Sequence, residues 1–246
     1  MVEVAPLTDL RLPLLRRREI AEATVGLTFD CADRPLEFAA GQYLSLIAPA
    51  ALGLDPPSDQ RDFSIASSPG APETVSIAYR DSDSPVKRWL RDLPIGAPVT
   101  FRGPAGAFVL PAGAAENAAP VAMIAGGIGL TPFRSMLLDP AERQRRAGLF
   151  CWNGAVERVP FADELDQLTA GAPRTLVSQI GLFDPQSSGS LGPLKVWRDH
   201  HPEAYWYVAG PSEMVWNVLA ALENLGVSKK RVRTEEFTGY EDRPEV

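Results

Sequence analysis

The stretch Arg61-Asp62-Phe63-Ser64-Ile65-Ala66-Ser67-Ser68-Pro69 alternates polar and apolar residues, which is the pattern of a half-buried β-strand. It places an arginine, an aromatic ring and a hydroxyl within four positions. A guanidinium binds phosphate through its planar fork, and an aromatic ring with a neighbouring hydroxyl suits a flat heterocycle. The stretch therefore predicts a strand that lines a site for a flat, phosphate-bearing ligand.

A second stretch, Ile124-Ala125-Gly126-Gly127-Ile128-Gly129-Leu130-Thr131-Pro132, is an apolar strand that runs into glycines. Thr131 before Pro132 predicts a helix N-cap followed by proline at the first helical position. Backbone N–H groups at such a turn bind anions. The turn lacks the third glycine of the standard dinucleotide fingerprint, so alone it fits any tight strand–helix turn. A similar turn at Gly210-Pro211 favours a site for a phosphate-bearing ligand across the carboxyl edge of a sheet.

Together the two stretches resemble the ferredoxin–NADP reductase family of flavin- and nicotinamide-binding oxidoreductases. Six motifs carry the resemblance in the family's order: Gly41-Gln42-Tyr43, Arg61-Asp62-Phe63-Ser64, Gly103-Pro104-Ala105-Gly106-Ala107-Phe108, Gly126 to Pro132, Gly210-Pro211-Ser212-Glu213-Met214 and Glu235-Glu236-Phe237. Each motif is weak alone, but six in order are specific. The resemblance covers most of the chain and implies a two-domain fold, with an antiparallel β-barrel flavin domain followed by an α/β nicotinamide-binding domain that has a parallel sheet.

The order of strands and helices agrees with that division. Short strands broken by Gly, Pro and Asp predict a closed antiparallel barrel, with the best-marked strands at Leu12 to Arg18, Thr24 to Phe29, Gln42 to Ala48, Asp62 to Ala66, Thr74 to Tyr79 and Pro98 to Arg102. From Val121 onward, strands alternate with helices, as in a parallel α/β sheet. We expect a flavin domain at 1–112, a linker at 113–120 and an NAD(P)-binding domain at 121–246.

Composition limits the kinds of function. The net charge of −7 argues against nucleic-acid or anionic-membrane binding as a main function. Apolar runs are too short to span a bilayer and no signal peptide is visible, so a cytoplasmic location is expected. Cys31 and Cys151 form no metal-binding pair and are expected to be small buried hydrophobes, and His200-His201 is expected to be an exposed loop pair, so no metal is expected. The basic run Arg16-Arg17-Arg18 is typical of the solvated face of a strand.

The resemblance assigns roles to residues on the flavin side. It implies that Arg61 and Arg80 hold phosphate, that Phe63 stacks on the isoalloxazine and that Ser64 hydrogen-bonds near flavin N5; Tyr79 either lines the cofactor or fills the barrel. Ser84 begins a helix over the pyrophosphate, but Asp81 stands where the family has glycine. A carboxylate there repels a diphosphate unless it points away. FAD is expected ahead of FMN.

Other roles concern the coenzyme. The resemblance implies a nicotinamide site formed by Gly126, Gly127, Gly129, Thr131, Gly210 and Pro211. Glu235 and Phe237 would lie near the flavin, with Phe237 (or Tyr240) covering the face that nicotinamide uses. Ser178-Gln179 lacks the arginine that NADP binders of the family often have there, which weakly favours NADH. Arg158 and Arg174 are the candidate substitutes for binding a 2′-phosphate.

The activity implied by the resemblance is hydride transfer from NAD(P)H to flavin N5, with Ser64, Glu235 and Phe237 as the catalytic residues. Electrons then pass to a separate small redox protein, a ferredoxin or flavodoxin. Two alternatives stay open at this point: a flavin reductase that uses diffusible flavin, and a non-catalytic subunit that senses nicotinamide.

Overall fold

The structure is a computed structural model and describes residues 8–112, 118–170 and 174–237. It contains an antiparallel sheet of six strands and a parallel sheet of five. Residues 113–117 of the predicted linker lie outside the described ranges, so the predicted domain limits stay predictions.

The antiparallel sheet forms the first half of the chain. Its elements are β1 (Thr8–Ala21), β2 (Thr24–Asp30), β3 (Tyr43–Ile47), β4 (Gln60–Ser64), β5 (Thr74–Arg80), α1 (Pro85–Asp92) and β6 (Pro98–Ala105). The strand order is β4-β3-β6-β1-β2-β5, and a bridge between Ile65 and Ile77 brings the two edges together. The sheet therefore curls into a barrel-like form around an apolar interior. All six predicted strands are present, with β1 extended at both ends and β4 displaced by two residues.

The parallel sheet forms the second half. Its elements are β7 (Val121–Gly126), α2 (Leu130–Leu138), β8 (Ala147–Asn153), α3 (Ala162–Thr169), β9 (Arg174–Ile180), α4 (Ser188–His200), β10 (Tyr205–Pro211), α5 (Ser212–Asn224) and β11 (Val232–Phe237). The strand order is β11-β10-β7-β8-β9. Helices α2 and α3 pack on the face toward the barrel, and α4 and α5 pack on the opposite face.

The sequence patterns missed α4. Gly189, Gly192 and Pro193 lie in its first two turns and are unfavourable inside helices, so this segment is typical of a loop. Tertiary packing overrides that preference, since Leu194 and Trp197 are buried against the sheet. His200 consequently ends a helix and His201 packs on the Trp197 ring at a centroid distance of 4.3 Å, which corrects the expected exposed loop pair.

The two halves are packed against each other through both apolar and polar contacts. Phe108 lies 5.8 Å from Phe133 and 5.2 Å from Tyr207, measured between ring centroids. The Tyr207 hydroxyl donates to the Val109 carbonyl at 2.8 Å, and the Ser135 hydroxyl donates to the Ser67 carbonyl at 2.7 Å. This packing holds the end of β4 against the parallel sheet.

Candidate active site at the junction of the two sheets

One hydrogen bond joins the two halves at the site that the motifs predict. The Ser64 hydroxyl, at the end of β4, donates to Oε1 of Glu235 on β11 at 3.1 Å. The partners are 171 positions apart in sequence, so only the tertiary fold brings them together. Two of the predicted catalytic residues thus meet at the junction of the sheets.

Glu235 has an unusual environment for a carboxyl group. Burial raises its pKa to about 7, the hydrogen bond from Ser64 opposes that rise, and the negative charge of Asp62 adds to it. Its second oxygen, Oε2, is buried and has no hydrogen-bond partner among the described residues. A carboxyl that titrates near neutral pH suits proton exchange with a ligand at this position.

The surroundings of Glu235 on the barrel side are a polar patch on one sheet face. Tyr43 pairs with Ser64 across β3 and β4, and Ser45 pairs with Asp62 in the same register. Side chains directly opposite each other, or two apart on a strand, share a face. The Ser45 hydroxyl donates to Asp62 at 2.5 Å, which fixes that carboxylate beside Ser64 and Glu235. No motif pointed to this role for Asp62.

The glycine turns after β7 and β10 lie side by side at the centre of the parallel sheet. From β7 the chain runs outward through β8 and β9, whereas β10 and β11 lie on the other side. This is the topological switch point where ligands bind in open α/β sheets. A Cβ on Gly129 would collide with the Ala209 carbonyl, and one on Gly126 would collide with the Met214 sulfur. These glycines therefore permit the two turns to approach each other.

The first turn of α2 differs from the prediction. Thr131 is not the N-cap: α2 begins at Leu130, and the Thr131 hydroxyl is buried and donates to the Ile128 carbonyl at 2.6 Å. The helix follows directly from a tight turn over Gly127–Gly129, so backbone bonds replace a side-chain cap. Gly127 has φ +50° and open space at its Cβ position, which leaves the backbone accessible to a ligand. Anion binding at this helix N-terminus stays a prediction.

The end of β11 lies beside the second turn. Phe237 pairs with Pro211, next to Gly210, and packs partly buried against the apolar layer between the halves. Its proposed cover over the nicotinamide face stays a prediction. The alternative residue, Tyr240, lies outside the described residues.

The predicted phosphate ligands lie along β4, β5 and α1. Arg61 is exposed and donates to the carbonyls of Ser58 at 3.3 Å and Gln60 at 2.6 Å. Arg80 ends β5, and Ser84 caps α1 by accepting from the Lys87 N–H at 3.3 Å, as the sequence predicts. Their roles toward phosphate stay predictions.

Asp81, the departure from the family pattern, is held by a neighbouring cation. Its Oδ2 lies 2.9 Å from Nη1 of Arg91 on α1, and its Oδ1 accepts from the Ser82 N–H at 3.0 Å. Arg91 neutralises the carboxylate and fixes its direction. The structure thereby removes much of the repulsion that the sequence suggests.

The two predicted aromatic residues of the flavin site face the barrel interior. Phe63 is 8% exposed and its ring centroid lies 6.3 Å from that of Tyr79, with the rings tilted by 61°. Tyr79 is 2% exposed, and its hydroxyl has no hydrogen-bond partner among the described residues. Both side chains pack in the barrel core, and their roles toward the flavin stay predictions.

One candidate for a 2′-phosphate ligand is contradicted. Arg174 begins β9 at the amino end of the parallel sheet, opposite to the switch point, and donates to the carbonyls of Leu137 and Leu168 at 2.8 Å each. It is a structural residue. Arg158 lies near the carboxyl end of β8, where its guanidinium pairs with Glu22 at 2.7 Å.

Sequence reasoning also missed Arg134 and Glu164, which link α2 and α3 at the domain interface. Arg134 donates to Glu164 at 2.8 and 2.5 Å and to the Ala66 carbonyl at 2.6 Å. Burial raises the pKa of Glu164, but hydrogen bonds from Arg18 and Arg134 more than offset that rise and lower it. The partners are 30 to 146 positions apart, and no local pattern signals such contacts.

The arrangement fits a flavin beside a nicotinamide coenzyme. Among the described residues, Glu235 has a buried oxygen without a hydrogen-bond partner, and Gly127 has open space before a helix that lacks a side-chain cap. The hydrogen bonds of Arg61 in the same part of the chain go to backbone carbonyls. Within the described ranges no group of three or more His, Cys, Asp or Glu is placed to hold a metal ion, and no helix is long and apolar enough to span a membrane.

Comparison with known proteins gives the family. No family model matches the chain. The chain is 32% identical over 204 residues to ferredoxin–NADP reductase B of Sorangium cellulosum, covering 81% of this chain and 80% of that protein. It is 27% identical over 237 residues to the flavohemoprotein of Pseudomonas putida. The aligned region covers 91% of this chain but only 58% of that longer protein.

Solved structures share the fold. The Amycolatopsis cytochrome P450 reductase GcoB has a TM-score of 0.78 at 23% identity, over 96% of this chain and 72% of that one. Its likeness covers both sheets, in agreement with the predicted two-domain architecture. Taken with the relative from Sorangium cellulosum, these findings show that the chain belongs to the ferredoxin–NADP reductase family of flavin-dependent NAD(P)H oxidoreductases.

Proposed function

We propose that this chain binds FAD and passes electrons from NAD(P)H to a separate redox protein. The observation that carries the proposal is the Ser64–Glu235 hydrogen bond, because it places a proton-exchanging pair between the barrel strand with the flavin motif and the switch point of the parallel sheet. FAD, when bound, supplies the hydride acceptor and the capacity to release electrons one or two at a time.

The residues of the chain bind, orient and exchange protons. Glu235 holds a proton on about half of the molecules near pH 7, since burial and Asp62 raise its pKa to about 7. The Ser64 hydroxyl orients that carboxyl. Ser64 is 6% exposed and Oε2 of Glu235 is buried, so water has little access to these groups. We assign Arg61 and Arg80 to the flavin phosphates, and the turns at Gly127 and Gly210 to the coenzyme.

We propose NADH as the preferred coenzyme. Gln179, at the carboxyl end of β9, accepts from Trp152 at 3.0 Å and donates to the Gly189 carbonyl at 2.7 Å, and it offers no positive charge for a 2′-phosphate. Arg174 is committed elsewhere, which leaves Arg158 as the candidate cation. The ratio of kcat/KM for NADH and NADPH tests this, and a tenfold preference for NADPH would show that Arg158 leaves Glu22 to bind phosphate.

The proposed acceptor is a small electron-transfer protein such as a ferredoxin or flavodoxin. Related chains are named as parts of electron-transfer systems: one relative is a ferredoxin–NADP reductase and a structural neighbour is a cytochrome P450 reductase. A chain with this fold thus supplies electrons to different acceptors. Assays with different acceptor proteins can identify the natural acceptor of this chain.

The test combines two measurements on the purified protein. Gel filtration followed by a visible absorption spectrum shows whether flavin stays bound, and NAD(P)H oxidation is then followed with a dye, a ferredoxin or a flavodoxin as acceptor. Bound flavin with dye and protein reduction supports the proposal. Turnover that requires added free flavin would instead identify a flavin reductase, and nicotinamide binding without turnover would identify a sensing subunit.

A further inference from the structure

A small cavity lies on the outer face of the barrel, where β1, β2 and β5 meet α2 and α3. Its volume is about 120 Å³, and its lining includes Arg16, Arg18, Arg134 and Glu164. It lies outside the Ser64–Glu235 junction and is lined by neither of those residues. The cavity therefore belongs to a separate part of the interface between the halves.

A β-bulge directs two of the arginines into this cavity. The pairing of β1 with β2 shifts between Leu14 and Arg16, so the alternation of faces restarts at that point. Arg16 and Arg18 then face outward, whereas Arg17 donates to the carbonyls of Leu90 and Leu93 at the end of α1. The sequence suggests that this basic run forms one solvated strand face. In the structure, Arg17 instead contacts the end of α1, and Arg16 and Arg18 line the cavity.

The charges of the lining do not balance. Glu164 is shared by Arg18 at 2.6 Å and by Arg134 at 2.5 Å. Arg16 has no carboxylate partner among the described residues, so three guanidinium groups face one carboxylate and leave two positive charges. Asp163, the other carboxylate near Arg18, is 3.4 Å away with a side chain that is 67% exposed.

Hydroxyl groups complete a donor set. Thr28 and Ser76 line the cavity, and their hydroxyl oxygens are 3.0 Å apart. One hydrogen bond between two hydroxyls uses one proton, so one O–H group is left to donate. Guanidinium and hydroxyl donors around a net positive charge are the chemistry that binds phosphate oxygens.

We propose that this cavity binds a small phosphate dianion, either inorganic phosphate or the phosphate of a small monoester, at a site separate from the flavin and the coenzyme. Arg16 and the free hydroxyl provide direct donors. Arg18 and Arg134 remain paired with Glu164, and their charges add to the positive potential of the cavity. Because the lining comes from both halves, the bound anion stabilises their association by mass action. This proposal does not depend on the redox function proposed above.

The experiment uses the purified full chain with NAD⁺ in excess, so that a coenzyme site would not be open to phosphate. Isothermal titration with inorganic phosphate, and separately with glycerol phosphate, is carried out at constant ionic strength adjusted with potassium chloride. We expect saturable binding of one anion and a rise in melting temperature that chloride does not give. Tighter binding of the ester would identify a phosphate ester as the source, and tighter binding of inorganic phosphate would identify the free anion.

Matched variants distinguish the cavity from general charge effects. Arg16→Ala should weaken phosphate binding at least tenfold, because it removes a charge-assisted hydrogen bond. Arg11→Ala removes the same charge from an exposed position on β1 and should leave affinity unchanged. Thr28→Val provides a second variant and should weaken binding several-fold. Non-saturating titration, binding that appears only without NAD⁺, or equal affinity in Arg16→Ala and Arg11→Ala would overturn the proposal.

Discussion

At the scale of single residues, the pKa of the Glu235 carboxyl depends on burial and on two neighbouring side chains. Its carboxyl lies between the exposed polar patch of β3 and β4 and the buried layer between the halves. Asp62 raises its pKa and Ser64 opposes that effect, although burial is the largest cause. Two side chains of one strand therefore adjust the proton affinity of a residue on another sheet.

The first prediction concerns stability against pH. Since the folded pKa of Glu235 is about 7 and its ordinary value is 4.5, the unfolded chain loses this proton first as pH rises. The group's contribution is fully present below about pH 4.5 and is lost as pH rises toward 7. Glu235→Gln cannot ionise, so it should become more stable than wild type above pH 7, by up to about 3 kcal/mol.

Urea unfolding at a series of pH values measures this difference. Glu236→Gln, an exposed neighbour on the same strand, is the control and should follow the wild-type pH dependence. A constant difference between Glu235→Gln and wild type from pH 4 to 8 would mean that Glu235 has the same pKa in the folded and the unfolded chain and is not the proton-exchanging group.

The second prediction concerns the carboxylate beside the expected flavin pyrophosphate. Arg91→Ala frees Asp81 from its 2.9 Å ion pair, so the negative charge should repel the diphosphate and weaken flavin binding about 3- to 10-fold. The double variant Asp81→Asn/Arg91→Ala should restore the affinity. Arg88→Ala, on the same helix, is the control. Flavin titration of the wild-type apoprotein and of the three variants measures these affinities. Unchanged affinity in Arg91→Ala would show that Asp81 lies away from the phosphates.

At the scale of elements, the two glycine turns act as one unit. The turn after β7 can approach the turn after β10 because Gly126, Gly129 and Gly210 lack side chains. The third prediction is that Gly129→Ala destabilises the fold by about 1–3 kcal/mol and weakens coenzyme binding, since its Cβ meets a backbone carbonyl that cannot rotate away. Thermal unfolding and NADH titration check the two effects.

Gly192→Ala provides the comparison for that prediction. Gly192 lies in α4 with no atom within 4 Å of its Cβ position, so alanine there should maintain or raise stability. If Gly129→Ala unfolds at the same temperature as Gly192→Ala and binds NADH normally, the two turns are not in the close contact described.

The sequence was informative about elements with strong local patterns. The alternating strands of the barrel and the apolar strands β7, β8 and β10 follow from periodicity, and the glycine turns follow from residue type. Helix α4 was missed because its packing overrides glycine and proline. Thr131 is not the N-cap because a tight glycine turn places the helix start two residues earlier, with Gly129 as N-cap and Leu130 as the first helical residue.

The site was predictable only in part for a related reason. Motifs identified Ser64 and Glu235, but not Asp62 or the Asp81–Arg91 pair, because these roles depend on which face and which neighbour each side chain has. Arg174 shows the reverse case: its type suits a phosphate, but its position at the amino end of β9 does not.

At the scale of the whole molecule, the ion pairs at the interface between the halves differ in strength. Arg134 and Glu164 have side chains that are 16% and 24% exposed, and Arg134 also bonds to the Ala66 carbonyl across the interface. Arg158 and Glu22 form an ion pair from one half to the other, but their side chains are 44% and 55% exposed. Screening by water makes the second pair weak.

The fourth prediction follows from that contrast. Arg134→Met leaves the Glu164 charge and the Ala66 carbonyl partly unsatisfied and should lower the free energy of unfolding by about 2–3 kcal/mol. Arg158→Met should have little effect. Chemical denaturation of both variants is the measurement, and equal destabilisation would show that the exposed pair matters as much as the buried one.

We propose that Ser64 and Glu235 lie where coenzyme and flavin react. Anaerobic rapid mixing of the flavin-loaded protein with NADH or NADPH tests it most directly, with the loss of flavin absorbance followed in a single turnover. We expect saturable bleaching in the wild type, and bleaching that is slower by about 10- to 100-fold in Ser64→Ala and in Glu235→Gln with flavin still bound. Bleaching at the wild-type rate in both variants, or no bleaching of the wild type by either coenzyme, would contradict it.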